Sequence, residues 1–68
     1  MEVFAKRLKE LRKEKDLTLV KLEEATGVSK STLNDLENGK RMPNAQVVAT
    51  LAKFFEVTTD YILGLTDI

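Results

Sequence analysis

The chain has 68 residues, no cysteine, histidine or tryptophan, and eleven Lys and Arg against eleven Asp and Glu, so its formal net charge is zero. This length suits one domain, read as residues 1–68, with a core that buries only about 60% of the unfolded surface. The composition excludes disulfides, Cys/His zinc sites and nucleophile–His triads, and no apolar run nears the roughly 18 residues that span a bilayer, so a soluble, cytoplasmic domain without metal or cofactor is expected.

The N-terminal stretch MEVFAKRLKE carries a charge every few residues, so it is not a signal peptide. Phe4, Leu8 and Leu11 recur at helical spacing, with Lys6, Lys9, Glu10 and Lys13 on other faces, which predicts a helix over about 2–14. A second pattern then appears three times. Leu17-Thr18 precedes Leu22, Val28-Ser29 precedes Leu33, and Val57-Thr58 precedes Ile62. Each is a hydroxyl N-cap flanked by an apolar staple, and each predicts a helix start. Gly27, Gly39 and Gly64 stand where a left-handed residue ends a helix. Pro43 lies in a loop, and Asn44 caps a helix whose positions Val48, Leu51, Ala52 and Phe55 share a face widened by Val47 and Phe54. The helices are predicted at about 2–14, 19–25, 30–37, 45–55 and 59–64. No run alternates long enough for a strand, so the fold class is an all-α five-helix bundle.

Only Gly27, Val28 and Ser29 separate the second and third helices. So short a turn sets two helices at a steep angle, as in a helix-turn-helix spanning about 18–37. The second helix of that motif enters the DNA major groove with its N-terminal residues leading. Here those are Lys30, Ser31 and Thr32, then Asn34 and Asp35, while Leu33 and Leu36 point to the core.

The segment LTLVKLEEATGVSKSTLNDLENGKRMP resembles the helix-turn-helix of the phage repressor family, the Cro and lambda-repressor type also called XRE-like. Leu22, Gly27, Val28, Ser29, Leu33, Leu36, Glu37, Gly39 and Pro43 carry the resemblance, which runs from Phe4 to Gly64 and includes the ending FFEVTTDYILG. It implies a compact bundle of the lambda-repressor-like DNA-binding type. By position, Lys30, Ser31, Thr32, Asn34 and Asp35 fall where members meet bases. Lys suits guanine, Asn adenine, and Asp the cytosine N4 amino group. Thr18, Leu19, Asn38, Lys40 and Arg41 fall where members hold phosphates. The family also implies a pair between Arg12 and Glu37.

Two positions depart from the family pattern. Leu19 replaces a usual Gln, which removes a side-chain donor to the DNA backbone. Glu23 replaces a usual Ala where the two helices approach closely.

Phe54, Phe55, Val57, Tyr61, Ile62, Leu63, Leu65 and Ile68 form an apolar surplus near the C-terminal end. In the family this region pairs two protomers, so Thr59, Tyr61, Ile62, Leu65 and Ile68 are expected homodimer contacts. The expected function is a sequence-specific transcriptional regulator, a repressor that occupies a palindromic operator in double-stranded DNA as a dimer. The rival is a protein-interaction module, antitoxin-like or anti-repressor, on the same fold. An enzyme lacks its reactive groups, and neither a membrane nor a metal is an expected partner.

The charges are unevenly spread. Residues 1–15 carry six cations and three acids, and 30–41 carry three and two. Residues 16–29 and 42–68 each carry one cation and three acids. Neutrality overall is therefore compatible with a basic DNA face.

Overall fold

Among the described residues the helices are α1 Glu2–Glu14, α2 Leu19–Thr26, α3 Lys30–Glu37, α4 Ala45–Phe55 and α5 Thr59–Leu63, and side-chain caps start α2 to α5. The computed structural model describes residues 2–68; Met1, where the expected domain begins, lies outside them. Thr18, Ser29, Asn44 and Thr58 have extended backbone, and their side-chain oxygens accept from Lys21, Thr32, Val47 and Tyr61 N–H at 3.1, 3.1, 2.8 and 3.0 Å. Each cap satisfies an N–H that the helix cannot, worth about 1 kcal/mol. Leu17, Val28 and Val57 pack against the core, and their expected staple partners Leu22, Leu33 and Ile62 are buried in it.

The helix ends use the left-handed turn throughout. Gly39 (φ 72°) lets Lys40 N–H reach Asp35 O at 2.9 Å and Gly39 N–H reach Leu36 O at 3.3 Å. Gly64 ends α5 in the same way, and Gly27 closes α2 with one bond to Glu23 O at 2.8 Å. Two ends use no glycine. Asp16 (φ 55°) ends α1 and Glu56 (φ 58°) ends α4, each followed by the same backbone bonding. Sequence patterning does not mark these two acids, because the turn is made by main-chain groups.

The core takes Phe4, Ala5 and Leu8 from α1, Leu22 from α2, and Leu33 and Leu36 from α3. Val48, Leu51, Ala52 and Phe55 come from α4, and Ile62 from α5. α3 packs on both α1 and α2, and α5 packs on α1 and α4. A leucine buried to this degree contributes about 2 kcal/mol, so the two leucines fix which face of α3 turns outward.

The C-terminal apolar surplus is smaller than its composition implies. Phe55 and Ile62 are buried, and Phe54, Val57 and Leu63 pack against the core. Ile62 has no exposed surface, so it is not an available protomer contact. The staple between Val57 and Ile62 already marks Ile62 as the inward residue of α5, and burial follows that pattern rather than the protomer contact expected from the family. Among the described residues, no helix is long and apolar enough to cross a membrane.

Candidate nucleic-acid interface

The turn between α2 and α3 is held from within. Thr26 Oγ1 donates to Leu22 O at 2.7 Å and accepts from Val28 N–H at 3.2 Å, so one hydroxyl ties the end of α2 to the turn. Gly27 then reverses the chain at φ 79°. Thr26 was not singled out from the sequence. Its signal was available, since a Thr one residue before a helix-ending Gly can bond back to the helix.

On α3, Lys30, Ser31 and Asn34 are exposed, while Thr32 and Asp35 are half-buried. The exposed three occupy the first two turns, opposite Leu33 and Leu36. Thr32 turns toward the cap: Ser29 Oγ donates to Thr32 Oγ1 at 2.8 Å. Thr32 also lines a shallow cleft against α4 with Arg41, Asn44 and Thr50. Asp35 Oδ2 lies 3.7 Å from Arg41 Nη2. Asn34 Oδ1 accepts from Asn38 Nδ2 at 3.3 Å. Of the five residues expected to meet bases, Lys30, Ser31 and Asn34 are thus exposed, Asn34 while bonded to Asn38, and Thr32 and Asp35 are half-buried against partners inside the chain.

Of the residues expected to meet phosphates, Thr18, Asn38, Lys40 and Arg41 are exposed. Leu19 is different, because its side chain packs against the core. Only its backbone N–H, at the first position of α2, remains as a donor. Glu23 is half-buried, and α2 still packs directly on α3.

Arg12 anchors α3 from behind. Its Nε donates to Glu37 Oε2 at 2.7 Å, its Nη2 to Glu37 Oε1 at 3.0 Å, and its Nη1 to Leu17 O at 2.8 Å. The side chains are 15% and 6% exposed. The hydrogen bonds to Glu37 raise the Arg12 pKa above its ordinary value, desolvation opposes them, and Coulomb attraction to Glu37 adds to the rise. One guanidinium therefore joins α1, the turn before α2 and the end of α3.

Arg7 escaped the sequence reading. It donates to the Tyr61 and Thr66 carbonyls, lies 4.2 Å from the Tyr61 ring centroid, and pairs with Asp67 at 3.5 Å. Its main partners are backbone oxygens, which carry no sequence signature.

Two packed, capped helices joined by a three-residue turn, the second presenting a polar row beside two loop cations, form a helix-turn-helix of the DNA-binding kind. Residues 8–62 match the helix-turn-helix family, and the chain belongs to it as an XRE-type, lambda-repressor-like, non-catalytic DNA-binding domain. It is 38% identical over 65 residues to the HTH-type transcriptional regulator YobD of Bacillus subtilis, covering 96% of this chain and 58% of that protein. It is 41% identical over 58 residues to the HTH-type transcriptional regulator AnsR of Bacillus subtilis, covering 85% of this chain and 50% of that one. A third relative is the HTH-type transcriptional activator BcrR of Enterococcus faecalis, 38% identical over 61 residues, which are 90% of this chain and 30% of that protein. No solved structure gives a significant match.

Proposed function

We propose that this chain is the DNA-reading domain of a cytoplasmic transcriptional regulator, and that it represses by occupying a palindromic operator as a homodimer. The observation that carries this is the setting of α3. Leu33, Leu36 and the Arg12–Glu37 pair hold its inner side, and Lys30, Ser31 and Asn34 are exposed on the other. In the major groove Lys30 donates to guanine, Asn34 pairs with adenine, and Ser31 serves several acceptors. Thr18, the Leu19 N–H, Asn38, Lys40 and Arg41 hold phosphates on either side. The relatives' names support a role in transcription. Repression by occupancy asks least of the chain, since it needs DNA and a second protomer only. The two-fold contact uses the exposed Thr59, Leu65 and Ile68 with the half-buried Tyr61.

The second reading is a protein-interaction module on the same fold. Leu19 in the core and an acid at position 35 favour it, because both weaken a DNA face. Selection of bound sequences from a pool of random duplexes decides between the two. Enrichment of a two-fold symmetric sequence is expected. No enrichment at low salt overturns the DNA-binding function.

A further inference from the structure

Asp35 and Arg41, each expected to meet DNA separately, meet each other in the free chain at 3.7 Å. Asp35 lies on the second turn of α3, and Arg41 on the loop between α3 and α4. The side chains keep 36% and 54% of their surface open. This contact is longer than a hydrogen bond and stands in solvent, so it breaks easily. The Arg12–Glu37 pair is its opposite, at 2.7 Å and nearly enclosed.

Residues 30–41 hold Lys30, Lys40 and Arg41 against Asp35 and Glu37. Arg12 occupies Glu37, which leaves Asp35 as the open carboxylate of this segment. Arg41 faces Asp35 through Nη2, so a phosphate that takes this nitrogen competes with the carboxylate for it.

We propose that Asp35 acts as a brake on Arg41, making the Arg41 phosphate contact conditional on the base that Asp35 meets. The proposal rests on the DNA-binding function above. On an arbitrary duplex, a phosphate must take Arg41 from Asp35. The released carboxylate then stands bare among phosphates, so binding is weakened twice. On a duplex that places a cytosine N4 amino group at Asp35, the carboxylate gains a donor as it loses its cation. An acid on the reading helix thus sharpens discrimination by penalising wrong sequences.

The test is a double-mutant cycle on the full chain with Asp35→Ala, Arg41→Gln and both together. Affinity is measured at one salt concentration for the duplex enriched by selection and for a random duplex, with circular dichroism to show that each variant is folded. Asp35→Ala is expected to tighten the random duplex about two- to fivefold, the scale of an exposed ion pair. It is expected to give no gain on the enriched duplex, and a smaller gain on the random one when Arg41 is already Gln. Equal gains with and without Arg41 overturn the proposal, since Asp35 then acts as a bare charge. Weaker random-duplex binding by Asp35→Ala also overturns it, since Asp35 then positions Arg41 for DNA. If the wild-type chain binds no duplex at low salt, the DNA-binding function itself fails, which the cycle distinguishes from failure of the brake alone.

Discussion

Arg12 and Glu37 are joined by two parallel hydrogen bonds of 2.7 and 3.0 Å, and through them α1 holds the end of α3. The pair is largely enclosed, so removing one partner strands a charge. Arg12→Met leaves the 6%-exposed Glu37 side chain unpaired and frees the Leu17 carbonyl, at an expected cost of about 3–5 kcal/mol. Replacing both, Arg12→Met with Glu37→Leu, costs less than the two single changes summed, because no bare charge remains. Urea denaturation of the three variants measures this, and strict additivity would refute the coupling. The pH dependence follows from sign. The folded Arg12 pKa is raised, so its contribution is complete below the unfolded value and is lost only as pH climbs through the folded one. Across neutral pH the Arg12 contribution is flat.

Arg7 does for the C-terminal segment what Arg12 does for α3. Its guanidinium bonds the Tyr61 and Thr66 carbonyls and lies over the Tyr61 ring. Its Nη1 takes both carbonyls while Nη2 reaches Asp67 and the guanidinium carbon sits over the ring, and a lysine, with one nitrogen on a shorter side chain, cannot hold all of these at once. Arg7→Lys is therefore expected to lose most of what Arg7→Ala loses, about 1–2 kcal/mol. Residues 65–68 should then gain mobility, visible as lowered backbone order parameters. Full retention of order by the lysine variant would show that charge alone suffices.

Much of this fold is legible because its signals are local. A hydroxyl at the right place makes its cap bond within one turn, so Thr18, Ser29 and Thr58 mark their helices without knowledge of the rest. The Leu33 and Leu36 spacing likewise shows which face of α3 is inward. Apart from Thr26, whose bond to Leu22 O is local, what escaped depends on how separate segments meet or on the main chain. Arg7 meets a carbonyl 54 positions away. Asp16 and Glu56 take left-handed backbone in turns bonded entirely by main-chain groups. Asp35 and Arg41 are near in sequence, yet whether their side chains meet depends on the path of the loop between them.

Gly64 and Gly27 have similar backbone, φ 83° and 79°, and different surroundings. A Cβ added at Gly27 meets nothing within 4 Å, whereas one at Gly64 strikes the Val3 side chain, with Val3 Cβ only 2.8 Å away. Gly27→Ala should cost only the left-handed strain, about 1–2 kcal/mol. Gly64→Ala should cost more, because α1 must move off α5. Removing the Val3 γ-carbons with Val3→Ala should recover part of the difference and not all, since Val3 Cβ stays. Thermal unfolding of the three variants decides, and equal costs for the two glycines would contradict the close approach.

On the face of α3, the exposed residues separate by the DNA atom each is expected to meet. Lys30, Ser31 and Asn34 face outward with α3 anchored beneath them, so alanine at any of the three should relax preference at one or two base pairs. Each loss is expected to be about 1–3 kcal/mol on the preferred sequence and near zero on a random duplex. Lys40 stands on the loop after α3, and its exposed ammonium suits a phosphate. Lys40→Ala should weaken all duplexes alike and flatten the slope of log affinity against log salt by about 0.9. Titrations of preferred and random duplexes at several salt concentrations separate the two classes. A base preference unchanged by Lys30→Ala, Ser31→Ala and Asn34→Ala together would mean that α3 does not read the groove. A base preference altered by Lys40→Ala would mean that the loop reaches the base edges and is not confined to the backbone.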